Sequence, residues 1–243
     1  MPLLDDEVRT QVEQVLAPLE HEVELLVYTA GKLIVPGRDE PGQQEATLQL
    51  LREVAATNDK ITVTERPLAG DAEAAAAGIT LTPTTVFRRK GEQRNNLRFV
   101  GLPSGYEFST LLETIMMIGG AGPEIEGALQ QVSEVDADVR LRTFVTPTCP
   151  YCPKAVITAF RFALANPRIT AEGIEATEFP TLSNGYRISG VPDTIVEGAP
   201  GSGVKATRVL GAQPEDEFLG ALLQAVSGDA VGNGGQSLPV TGA

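Results

Sequence analysis

Short apolar runs alternate with longer amphipathic stretches along this chain, and the alternation occurs twice. VELLVYT at Val23 to Thr29 and RLRTFVT at Arg140 to Thr146 are compact apolar runs of strand length. Each precedes a stretch whose apolar residues recur at helical spacing: QQEATLQLLREVA at Gln43 to Ala55, and PKAVITAFRFALA at Pro153 to Ala165. Each half then predicts a strand, a short helix, a strand led by proline, another strand and a closing helix. A helix also precedes the first strand of each half, DEVRTQVEQVL at Asp6 to Leu16 and PEIEGALQQVSEV at Pro123 to Val135. Strands that alternate with helices and end as a hairpin imply an α/β fold, with a mixed sheet flanked by helices in each half.

Shared letters support the duplication. ITLTPTTV at Ile79 to Val86 matches ISGVPDTI at Ile188 to Ile195 through the Ile, Pro and Thr positions. RFVGLPSGYEF at Arg98 to Phe108 matches RVLGAQPEDEF at Arg208 to Phe218 through Arg, Gly, Glu and Phe. The run GGAGP before the second leading helix marks a boundary, which gives units over 1–120 and 121–227. About a hundred residues each suits a small domain. The remainder, 228–243, reads GDAVGNGGQSLPVTGA and is expected to be a disordered tail. Its LPVTG resembles a sortase sorting signal, but the apolar stretch and basic end that such a signal needs do not follow, so it is read as coincidence.

Charge narrows the function classes. The 243 residues carry a formal net charge of −13, and 42% are hydrophobic. An acidic chain lacks the basic surface that nonspecific binding to nucleic acid or anionic membranes requires. No apolar run reaches membrane-spanning length, and MPLLDDEVRT has acids where a secretory signal has basic residues. The expected location is cytoplasmic.

Both cysteines of the chain lie in one stretch, TPTCPYCP at Thr146 to Pro153. A lone C-x-x-C in a reducing compartment is redox-active or metal-binding more often than structural. Zinc needs four ligands, and the chain offers no third cysteine and one histidine, His21, before a strand of the other half. A dimer could complete a four-cysteine set, and two merely packed thiols are the inert alternative. In the redox reading, Cys149 caps the helix that follows the strand and Pro150 takes its first position. The Cys149 sulfur then faces the free N–H groups of Tyr151 and Cys152 and the positive helix end, which favours the thiolate. Cys152 lies one turn on, more buried, placed to resolve a mixed disulfide.

Strand, C-P-Y-C, helix, then V-P-D-T before a strand, is similar to the thioredoxin fold. The doubled arrangement resembles the protein disulfide oxidoreductases, glutaredoxin-like proteins with two tandem thioredoxin-fold units. The resemblance covers about residues 5 to 227. It implies that Cys149 is the nucleophile, Cys152 the resolving thiol and Pro192 a cis-proline facing them. It further implies that Pro150 and Tyr151 border the substrate, and that Val191 offers backbone groups to an extended substrate segment. Pro83 is the matching proline of the first half.

Two departures stand out. Where the first half should carry its own C-x-x-C it reads YTAGKLIVPGRDEPG, without cysteine and in a longer interval. The first unit is therefore expected to be redox-dead. Thioredoxins also carry a buried aspartate on the strand before the cysteines; Thr143 stands near that position here. Glu175 and Glu178 are the candidates for a substitute, though a salt-bridged or solvated surface glutamate is the expected role of each.

These readings converge on a dithiol–disulfide oxidoreductase acting on protein disulfides. The redox-active Cys149–Cys152 disulfide would be its working group, with no bound cofactor. The resemblance implies an NADPH-dependent, thioredoxin-reductase-like flavoenzyme as electron source; no dinucleotide-binding fingerprint occurs in this chain. The alternatives are a glutathione-dependent glutaredoxin, for which LGAQPEDEF fits poorly, and a non-catalytic binding or adaptor module.

Overall fold

A computed structural model describes residues 2–31, 42–120, 122–199 and 202–228. Most of the altered stretch after the first strand, and the tail beyond Gly228, lie outside the described residues.

The chain divides into two compact units. One holds Met1–Pro103 and Leu111–Gly122; the other holds Ser104–Thr110 and the chain from Pro123 onward. The short segment Ser104–Thr110 thus comes from the first half of the sequence but belongs to the second unit.

The first unit contains α1 (Asp6–Leu16), β1 (Val23–Thr29), α2 (Gln43–Ala55), β2 (Ile61–Pro67), α3 (Ala72–Ala76), β3 (Thr84–Arg89), β4 (Leu97–Val100) and most of α4 (Glu107–Gly119). Asp5 caps α1 by accepting the Val8 N–H. The strands run in the order β2-β1-β3-β4, with β1 parallel to β2 and antiparallel to β3. Strand β1 is nearly continuous in apolar residues because neighbours flank it on both sides and both its faces are covered. Leu26, Tyr28, Ala74, Ile79 and Val86 form one buried cluster.

The second unit repeats the order: α5 (Ala128–Ser133), β5 (Val139–Val145), α6 (Cys152–Ala165), β6 (Ile169–Glu175), α7 (Pro180–Gly185), β7 (Asp193–Gly198), β8 (Thr207–Leu210) and α8 (Glu215–Ser227). Its strands run β6-β5-β7-β8, again one parallel pair followed by antiparallel ones. Helix α5 is shorter than the expected Pro123 to Val135. Gly127 at its start has φ 56°, a left-handed conformation that cannot continue a right-handed helix. Helix α6 packs on β5 and β6, and α8 on β7 and β8. Phe162 and Phe218 join the two helices edge to face, with ring centroids 6.3 Å apart.

One glycine decides how closely the chain packs beside the cysteine turn. Gly105 has φ 59°, and a Cβ there would lie 2.2 Å from the carbonyl oxygen of Pro147. Next to it, the Tyr106 N–H donates to that same oxygen at 2.9 Å. Only glycine lets the Ser104–Thr110 segment approach the turn before Cys149 this closely. Gly105→Ala should therefore destabilise the fold by more than about 1 kcal/mol, combining left-handed strain with a backbone clash. A lowered urea midpoint at unchanged slope would show this; a wild-type midpoint would refute the contact.

Candidate functional site

Strand β5 delivers the chain to the turn Thr146-Pro147-Thr148, and the turn delivers Cys149. Cys149 and Cys152 form a disulfide, with their Cα atoms 5.5 Å apart. Cys152 is wholly buried, while Cys149 is half-buried and Pro150 and Tyr151 are exposed. Cys149 is thus the more accessible residue of the pair and Cys152 the enclosed one.

The local geometry departs from the expected cap. Helix α6 begins at Cys152, and its N-cap is Tyr151, not Cys149. The Cys152 N–H donates to the Cys149 carbonyl at 3.4 Å, closing a tight turn, so it is not free to face the Cys149 sulfur. Pro153, not Pro150, occupies the first helical turn, where its missing N–H leaves nothing unpaired. Pro150 sits inside the preceding turn.

The loop after α7 brings the remaining expected residues together. Val191–Pro192 is a cis peptide bond, and so is Thr82–Pro83 in the first unit. The Val191 carbonyl oxygen lies 3.8 Å from the Cys149 sulfur. Pro192 is buried and Val191 half-buried. The disulfide, the Val191 backbone and the two exposed residues Pro150 and Tyr151 therefore frame one surface of the second unit.

No carboxylate stands at the Thr143 position. The Thr143 and Thr194 hydroxyls meet at 3.0 Å, both buried, in a neutral pair across β5 and β7. Glu175 does not fit the expected surface role. It is 1% exposed, and it accepts from the Thr177 N–H and hydroxyl and from the Glu178 N–H. Those bonds tie it into the turn after β6; Glu178 is half-buried.

The carboxylate that stands out is Glu107, which sequence reasoning missed. It follows Tyr106 on the segment bonded to Pro147, and it is 1% exposed. One oxygen accepts from the Thr110 hydroxyl at 2.7 Å; the other has no hydrogen-bond partner. Burial pushes its carboxyl up to about 7, with the Thr110 hydroxyl bond opposing. Asp193, next to Pro192, is raised in the same way. Burial lifts it to about 6, with Arg208 opposing. Among the described residues no group of three or more potential metal ligands occurs. No described helix is long and apolar enough to cross a membrane.

Known proteins resemble the chain in two ways. Residues 139–224 match the thioredoxin-domain family, so the second unit holds a thioredoxin-fold domain carrying the disulfide. Among curated proteins, the alkyl hydroperoxide reductase AhpF of Staphylococcus epidermidis is 27% identical over 197 residues, 81% of this chain and 34% of that protein. AhpF of Escherichia coli is 26% identical over the same shares. A Bacillus subtilis NADH dehydrogenase is 25% identical over 81% of this chain and 35% of its own length. The chain thus spans about a third of the length of these relatives. Among solved structures, the NTD_N/C domain of Enterococcus faecalis AhpF superposes with a TM-score of 0.76 at 25% identity, covering 90% of this chain and 99% of the other. A protein disulfide oxidoreductase of Aeropyrum pernix shares the fold, with a TM-score of 0.79 at 24% identity over 96% and 98% of the two chains.

Glu107 should give stability a measurable pH dependence. Its folded value of about 7 lies above its ordinary one, so the folded chain holds more protons than the unfolded chain in between. Stability then falls as pH rises from about 4.5 through 7. Between pH 5 and 8 the wild type should lose on the order of 2 kcal/mol relative to Glu107→Gln, read from urea midpoints. Parallel pH profiles for the two proteins would remove Glu107 from the account.

Proposed function

We propose that this chain is a dithiol–disulfide oxidoreductase that cycles through Cys149 and Cys152. The observation that carries the reading is the disulfide of half-buried Cys149 with wholly buried Cys152, its Cys149 sulfur 3.8 Å from the Val191 carbonyl oxygen. In the reduced chain, the Cys149 thiolate attacks one sulfur of a substrate disulfide. A mixed disulfide forms and the first substrate thiolate leaves. The Cys152 sulfur then attacks Cys149, re-forming the internal disulfide and releasing the second substrate thiolate. Two electrons pass from the chain to the substrate, and reduction by a second dithiol returns them.

Cys152 must lose a proton in a buried place before it attacks, so a buried base is needed. Glu107, a buried carboxylate with one oxygen free on the segment bonded to the Pro147 turn, is the candidate for that base. Pro150, Tyr151, Val191 and Pro192 would form the substrate surface, with Val191 offering its backbone to an extended segment.

The likeness to part of the alkyl hydroperoxide reductase AhpF supports an electron-relay role. In this reading, a flavoenzyme using a reduced nicotinamide nucleotide supplies electrons, and a protein disulfide receives them. We also read the chain as two tandem thioredoxin-fold units, the first without redox cysteines. The matching order of elements and the two cis-prolines support that organisation.

The test is reduction of insulin disulfides with dithiothreitol as electron source. The wild type should accelerate it and Cys149→Ser should not. Cys152→Ser should stall after the first step and accumulate a mixed disulfide visible by non-reducing electrophoresis. A wild type no faster than dithiothreitol alone would overturn the reading for protein disulfides.

A further inference from the structure

The arginine shared by the two halves makes the same contact in both units. In the first, Arg98 donates from Nη2 to the Ala77 carbonyl at 2.6 Å, at the end of α3. In the second, Arg208 donates from Nη2 to the Tyr186 carbonyl at 2.5 Å, at the end of α7. The surrounding backbone also matches. The Gly101 N–H donates to the Pro83 carbonyl, and the Gly211 N–H to the Pro192 carbonyl, at 2.9 and 2.8 Å. Each arginine therefore ties the turn that leads into its proline to the last strand of its unit.

The units then diverge at two positions of that turn. After α3 the left-handed residue is Gly78, at φ 66°; after α7 it is Arg187, at φ 53°. A residue with a side chain resists that conformation by about 1–2 kcal/mol, so the second turn needs more support than the first. The residue after the proline differs too. Thr84 bonds locally to the Leu81 carbonyl. Asp193 instead places a carboxylate, 1% exposed, 3.1 Å from the Arg208 Nε. Neither Asp193 oxygen has a hydrogen bond, so Arg208 is the cation that makes this burial tolerable.

Arg208 thus grips both ends of the Arg187–Pro192 turn: the Tyr186 carbonyl before it and the Asp193 carboxylate after it. The turn's working atom is the Val191 oxygen beside Cys149. We propose that Arg208, with Asp193, is a positioning residue of the redox site, holding the Val191 carbonyl where an extended protein substrate binds beside Cys149. This rests on the oxidoreductase reading above. It assigns Arg208 to the binding of polypeptide disulfides and not to sulfur chemistry as such.

Two measurements on Arg208→Gln test it, with Arg168→Gln as a matched loss of charge. Arg168 serves because its partners Asp136 and Asp138 are solvent-exposed. The first is hydrogen exchange of the Arg187 and Ile188 amides, which bond to the Asn184 and Ser183 carbonyls. Arg208→Gln should speed their exchange at least about tenfold, and Arg168→Gln should leave it unchanged. The second compares two oxidants of the reduced chain. The KM for insulin should rise about tenfold with little change in kcat, while the rate with a small aromatic disulfide, 5,5′-dithiobis(2-nitrobenzoate), stays within about twofold. Wild-type exchange, or equal slowing with both oxidants, would overturn the proposal. A wild type inert toward insulin would sink the oxidoreductase reading and leave the exchange result to decide whether the clamp exists. If Arg208→Gln does not fold, Arg208→Lys keeps the charge but reaches only one acceptor, and should show the same selective loss at smaller size.

Discussion

Cys152 is enclosed at the first turn of α6 while its partner sulfur, three residues earlier, must meet other molecules. That constraint governs the backbone between them. The turn has to cross from surface to interior in three residues without leaving polar groups stranded. Two prolines help, since neither Pro150 nor Pro153 has an N–H to satisfy. The Cys152 N–H finds the Cys149 carbonyl, and the Pro147 carbonyl is bonded by Tyr106. The reactive turn is therefore anchored from both sides by main-chain bonds, one of which depends on Gly105 having no side chain.

The pleat of β5 separates two kinds of polarity around this turn. Consecutive residues point to opposite faces, so Arg142 and Thr143 never share one. Arg142 lies with Glu172 at 3.1 Å, Glu197 at 3.3 Å and the Tyr186 hydroxyl at 2.8 Å. Its guanidinium also stacks over the Tyr186 ring. Thr143 faces Thr194 in a neutral pair. Formal charge is thus concentrated on the face where α7 ends, and the same helix end carries the carbonyl that Arg208 holds. Network and clamp meet at Tyr186.

Most of the fold could be read from periodicity. Helices α1 and α2 run between the residues that the pattern indicated; Asp5 caps the start of the first and Pro18 stands two residues beyond its end. Cys152 is buried and Cys149 half-buried, although the cap geometry from which that difference was expected is not the one found. The features that were not legible depended on contacts distant in sequence. Glu107 and Glu217 occupy matching letters of the repeat, yet the first is buried and the second exposed. A matching letter fixes position, not surroundings, so it gave no warning. The start of α6 was misplaced for a related reason: proline suits both a turn and a first helical residue, and only the hydrogen bond from Cys152 decides between them.

The segment Ser104–Thr110 bears on why a half without cysteines is kept at all. It is encoded before the sequence boundary and folds after it. A chain severed near residue 120 would leave the cysteine-bearing fragment without Gly105, Tyr106 and Glu107, all of which belong to its own fold. The cysteine-bearing unit therefore cannot be cut out whole at the sequence boundary. A segment from the cysteine-free half of the sequence is thus a structural part of the cysteine-bearing unit.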